Sequence, residues 1–126
     1  MSVSILQNKK ILVVEDDDMS YIYLSQLLNI AGTIFVREKT GAGAIRQFSD
    51  HSDFDIVLMD IQLPDIDGME VTEKLLSLKP GAVVIGQTAS RSVPEMDQML
   101  NAGCKAVLIK PFTMDQLFNE MIKAIQ

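Results

Sequence analysis

The sequence predicts an α/β fold in which a doubly wound, five-stranded parallel sheet carries helices on both faces. Three observations predict it: short apolar runs recur along the chain, the stretches between them carry helical periodicity, and glycine or proline punctuates the joins. Residues 11–14 (ILVV) open the series. Leu24, Leu27, Leu28 and Ala31 follow at i, i+3, i+4, i+7, one stripe of a helix that Gly32 closes. Residues 33–36 (TIFV) end in charge, as a more exposed strand would, and Ala44, Ile45 and Phe48 form the next helical stripe. Residues 56–59 (IVLM) read as a strand, Pro64 and Gly68 as a loop, and Val71, Leu75 and Leu78 as a helix face. Residues 82–85 (AVVI) precede Pro94, which suits a first helical turn, and the stripe Met96, Met99, Leu100, Gly103. After residues 106–109 (AVLI), a last helix over 114–125 shows two seams, Met114, Phe118, Ile122 and Leu117, Met121, Ile125. Runs that are continuously apolar rather than alternating belong to strands covered on both sides, and strict β-α alternation implies parallel strands joined by right-handed crossovers.

Composition bounds what such a fold can do. At about 150 residues per domain, 126 residues give one domain, 1–126, able to bury a core without staples. Eleven Lys and Arg against seventeen Asp and Glu leave a net charge of −6, which argues against direct nucleic-acid binding or a grip on an anionic membrane. The single Cys104 excludes an internal disulfide and a Cys-rich zinc site, and the single His51 excludes a His cluster. No apolar run approaches the roughly 18 residues needed to span a bilayer, and residues 1–10 hold no signal-peptide core. The expectation is a cytoplasmic protein without membrane insertion.

In an open parallel sheet, ligands sit beyond the carboxyl ends of the strands. Those ends carry Glu15, Asp16, Asp17 and Asp18 after the first strand, Asp60 after the third, Thr88 after the fourth, and Lys110 with Pro111 after the fifth. Converging carboxylates repel unless a cation neutralises them, and oxygen donors without Cys or His select Mg²⁺ rather than zinc. An ammonium and a hydroxyl beside them suit a phosphoryl group, so the chemistry suggested is phosphorylation of a carboxylate. Each residue alone also has an ordinary structural reading. Glu15 to Asp18 read equally well as acids at a helix start, Asp65, Asp67 and Gly68 as turn and capping residues, Thr88 as a cap and Lys110 as a solvated lysine. Cys104 reads as a small packing residue and His51 as part of a solvated loop.

Together, Ile11-Leu12-Val13-Val14-Glu15-Asp16, the segment from Val57 through Asp60 to Gly68, Thr88-Ala89 and Lys110-Pro111-Phe112 resemble the receiver domains of two-component response regulators over nearly the whole chain. The resemblance implies a flavodoxin-like (βα)5 fold, with Asp60 as phosphoacceptor and Asp16 as a direct Mg²⁺ ligand. It also implies that Glu15 binds through water, that Gln62 supplies a backbone carbonyl, and that Asp60 is itself a ligand. Thr88 would bond the acyl phosphate, and Lys110 would pair first with Asp60 and then with a phosphoryl oxygen. The peptide before Pro111 is expected to be cis. Asp17 is left as a helix-start residue. The partners implied are a histidine kinase or a histidine phosphotransfer protein upstream, and a downstream protein on the fourth helix, fifth strand and fifth helix, with Arg91, Lys105 and Phe118 as contacts.

Two positions depart from the family pattern: Val107 stands where an aromatic residue is common, and Ser20 where an asparagine is. No DNA-binding or effector segment is recognisable after Ile125, so output is expected to pass through a partner or a larger parent protein. The expectation is not an enzyme turning over a small substrate. A metal-dependent aspartyl phosphatase would need a second acid two residues after the nucleophile, where this chain has Gln62, and an intact pocket argues against a phosphate-independent pseudo-receiver. Dinucleotide binding lacks its glycine fingerprint after the first strand, and residues 15–17 would repel a flavin phosphate.

Overall fold

The computed structural model describes residues 3–51 and 53–126. Strands β1 (Lys10–Val14), β2 (Ile34–Glu38), β3 (Ile56–Asp60), β4 (Val84–Thr88) and β5 (Ala106–Ile109) alternate with helices α1 (Asp18–Ile30), α2 (Gly41–Asp50), α3 (Gly68–Leu78), α4 (Val93–Ala102) and α5 (Met114–Ile125). All strand pairs are parallel, in the order β2-β1-β3-β4-β5. The chain leaves β1 for β2 on one side and crosses back to β3 on the other, so the loops after β1 and β3 diverge and open a crevice at the carboxyl edge.

Each sheet face has its own core. Ile11, Val13, Ile56, Leu58, Ile85 and Leu108 pack against α1 and α5. Leu12, Val14, Val57, Met59 and Val84 pack against α2, α3 and α4. The continuous apolar runs follow from this double cover, because adjacent residues of one strand serve opposite cores.

The helix ends follow their capping chemistry. Asp17, Thr40, Asp67, Ser92 and Thr113 each accept from a backbone N–H in the first turn of the helix they precede. Thr113 and Gln116 complete a reciprocal capping box. Gly103 ends α4 at φ +117°, a conformation that favours glycine.

Two local expectations shift, and one element was not anticipated. β4 begins at Val84 rather than Ala82 and runs on through Gly86, Gln87 and Thr88, because Gln87 pairs with Asp60 and Thr88 with Ile109. The apolar stripes are narrower than their spacing suggested: Leu78 and Leu100 are exposed, and α4 buries Met99 alone. Finally, residues 3–6 form a 3-10 turn whose Leu6 is fully buried in the α1–α5 core. Among the described residues, no helix is long and apolar enough to cross a membrane.

Candidate functional site

The carboxyl ends of β1 and β3 bring Glu15, Asp16 and Asp60 together, with one carboxylate oxygen of each lying within 4.8 Å of the others. Glu15 is fully buried and Asp60 is 6% exposed, whereas Asp16 is open to solvent. The end of β5 supplies Lys110, whose Nζ donates to Glu15 Oε1 at 2.7 Å and to Asp60 Oδ2 at 3.1 Å. The expected pairing with Asp60 is therefore present, but Glu15 holds the ammonium more closely. A fully buried carboxylate far from water needs that counter-charge more than one at the cleft wall. The Lys110–Pro111 peptide is cis.

Burial, together with the neighbouring Asp60 carboxylate, pushes the Glu15 carboxyl up to about 7 against the lowering effect of Lys110. Burial works to lower Lys110, but the hydrogen bond to Glu15 and the charges of Asp60 and Glu15 outweigh it and hold the ammonium above its ordinary range. One ammonium thus pairs with two of three clustered carboxylates, and negative charge is left over. The donors are all hard oxygens, and a small divalent cation of the Mg²⁺ type fits that set.

The loop after β3 is fixed by backbone bonds. Gln62 N–H donates to Asp60 Oδ1 at 2.9 Å, and Gly68 N–H donates to the Ile61 carbonyl at 2.9 Å. A Cβ at residue 68 would run into the Asp60 carbonyl oxygen, so the loop can fold back on the strand end only with glycine there. Asp67 caps α3, while Asp65 reaches across to accept from Gly41 N–H and Ala42 N–H at the start of α2. Those two donors keep the Asp65 carboxyl below its usual range. The turn and capping reading of these residues holds, with Asp65 capping a distant helix rather than its own.

The cleft encloses about 470 Å³ and is bordered by Asp16, Asp17, Asp60, Gln62, Ala89 and Lys110 among others. Thr88, which is buried, accepts from Ser90 N–H at 3.0 Å and donates to Glu95 Oε1 at 3.2 Å. Sequence reasoning passed over Glu95. The spacing Ser92-x-x-Glu95 is a capping-box signature at the start of α4, yet here the glutamate turns away from the cap to hold the Thr88 hydroxyl. Gln87 was also missed, since nothing in the sequence marks a buried amide.

On the expected downstream face, Arg91 and Lys105 are exposed, but Phe118 is only 3% exposed. Its place as a partner contact is corrected: the ring belongs to the α1–α5 core, because its seam faces the sheet. Val107 is half-buried, and beside it a groove of about 370 Å³ runs between β5 and α5, bordered by Arg91, Gln116, Asn119 and Lys123. Cys104 is buried, and burial pushes its thiol up to about 11, in keeping with a packing role.

Comparison with known proteins identifies the family to which this fold belongs. The family described as response regulator receiver domain matches residues 11–122. The polar-differentiation response regulator DivK of Brucella ovis is 30% identical over 118 residues, covering 92% of this chain and 94% of that protein. The sensor protein EvgS of Escherichia coli O157:H7 is 28% identical over 115 residues, which cover 91% of this chain but only 10% of EvgS. Among solved structures, the receiver domain of a sensor histidine kinase from Pseudomonas aeruginosa PAO1, with a magnesium ion coordinated in its active-site cleft, superposes with a TM-score of 0.86 at 26% identity. That superposition covers 94% of this chain and 98% of the other.

Proposed function

Because the chain belongs to the response regulator receiver domain family of two-component signalling, we propose that Asp60 accepts a phosphoryl group from a phosphohistidine of a histidine kinase or histidine phosphotransfer protein. The observation that carries this reading is the convergence of Glu15, Asp16 and Asp60, two of which, Glu15 and Asp60, hold the Lys110 ammonium. An Asp60 carboxylate oxygen attacks phosphorus while the phosphorus–nitrogen bond to the donor imidazole breaks, and its electron pair stays on that nitrogen. Asp16, Asp60, the Gln62 carbonyl and, through water, Glu15 would hold Mg²⁺. When bound, the ion supplies charge neutralisation for the phosphoryl oxygens. The magnesium seen in the Pseudomonas receiver domain supports the same ligand chemistry here.

Lys110 then leaves Asp60 for a phosphoryl oxygen, and the Thr88 hydroxyl exchanges Glu95 for another. The domain is a switch that assists its own modification rather than an enzyme with a small substrate, and it works in the cytoplasm. Breaking the Thr88–Glu95 bond frees the start of α4, so the output face comprises α4, β5 and α5, with Arg91 and Lys105 available to a downstream protein. The groove beside Val107 gives that partner a recess.

Incubation with Mg²⁺ and a small acyl phosphate tests the assignment. The expected product is an acid-stable, base-labile acyl phosphate that Asp60→Asn abolishes while leaving the fold intact. Label that survives in Asp60→Asn, or sits on a serine, would overturn it.

A further inference from the structure

Gln87 is fully buried, and neither its Oε1 nor its Nε2 has a hydrogen-bond partner; no other side chain among the described residues shows such a pair of orphaned atoms. A buried amide without partners is costly, and the same position filled by an apolar side chain would not bear that cost. Gln87 points to the α1–α5 side of the sheet, since its register partner Leu108 and its neighbour Ile85 both lie in that core. There it lines a cavity of about 410 Å³ that adjoins the acidic cleft described above, Ser20 and Lys110 bordering both. The remaining walls are mainly apolar: Met19, Tyr23 and Leu24 from α1, and Phe112 from the turn before α5. Tyr23 is fixed in place, its hydroxyl donating to the Phe112 carbonyl at 2.6 Å and its ring 5.9 Å from that of Phe112. Met19, 74% exposed, stands at the mouth.

We propose that this cavity is a binding site for a small planar molecule bearing a hydrogen-bond donor beside an acceptor, as a lactam or nucleobase edge does. A primary amide offers one N–H next to one carbonyl oxygen, and a lactam edge completes both in a single cyclic pair. The volume lies within the usual range for small-molecule pockets, and the pattern of apolar walls with few polar groups is typical of them. The amide is closed off from bulk water, so the ligand meets it when the Gln87 head group turns into the cavity that it lines. The aromatic rings of Tyr23 and Phe112 supply flat walls for the rest of the molecule.

The test uses 2-quinolone, a bicyclic lactam, and N-methyl-2-quinolone, which keeps the carbonyl but has lost the N–H. Both are titrated into the intact protein and followed by NMR. Saturable shifts of the Gln87 side-chain amide and of Tyr23 and Phe112 are expected with 2-quinolone, and binding about tenfold or more weaker with the methylated probe. In Gln87→Met the two probes should bind alike. Equal affinity of the two probes for the wild type, absence of saturable shifts, or discrimination that persists in Gln87→Met would each overturn the site. The wild-type amide resonances decide the matter even if the variant folds poorly.

Discussion

The centre of the sheet and its α4 flank are built to opposite specifications. Every residue of β3 is buried, and so is every residue of β1 after Lys10, so the carboxylates at their ends stand on strands packed on both faces. Helix α4, by contrast, buries only Met99 and reaches the site through one hydrogen bond, Thr88 to Glu95. That single anchor packs against bare backbone, since the end of the Met99 side chain lies where a Cβ at Gly86 would stand. The difference separates two tasks: repelling charges must be held by elements that cannot relax, while a change in those charges is best read by an element held loosely enough to move.

The strongest way to break the comparison is to remove the counter-charge at the centre. Lys110→Met leaves Glu15 and Asp60 facing each other without an ammonium, and at pH 8 this should cost about 3–5 kcal/mol of stability. Denaturant melts check it, and added Mg²⁺ should recover part of the loss.

Protonation tests the same charges more gently. With its folded pKa near 7 against an ordinary 4.5, Glu15 keeps a proton in the folded state that the unfolded chain releases. Metal-free stability should therefore fall as pH rises from 4.5 through 7, by roughly 3 kcal/mol at most. Glu15→Gln should flatten that slope. The depressed carboxyls of Asp17, Asp18 and Asp65 act in the opposite direction but below this window, losing their contribution only as pH falls through their own low values.

On the flank, Met99→Ala should cost about 2–3 kcal/mol, toward the lower end for a core truncation because a helix with one anchor can settle. Hydrogen exchange should show the loosening confined to Val93–Ala102 and β5. Leu100→Ala, on the exposed side of the same helix, should change stability by no more than about 0.5 kcal/mol. A large effect there would mean that α4 is anchored more firmly than its burial shows.

How much of this was legible in the sequence follows the same division. The centre could be read because double burial leaves an unmistakable continuous apolar run, and because three of the runs end abruptly in a charged residue, Glu15, Asp60 and Lys110, while Thr88 follows the fourth after Gly86 and Gln87. The flank was less readable. The stripe Met96, Met99, Leu100 has core spacing, yet only Met99 enters the core, because spacing records which residues share a helix face and not how deeply that face is sunk. Phe118 was misplaced for the related reason that an aromatic residue on an amphipathic helix can serve core or surface alike. Glu95 and Gln87 escaped because their significance lies in one partner found and one partner lacking, and neither leaves a local pattern.

The most direct test is an NMR shift map with Mg²⁺ and beryllofluoride as the phosphoryl mimic. The account predicts large changes at Glu15, Asp16, Asp60 and Lys110, continuing through Thr88 and Glu95 into α4 and β5, with the buried lengths of β1 and β3 nearly unmoved. Large changes confined to α1 and α2, with α4 silent, would contradict it.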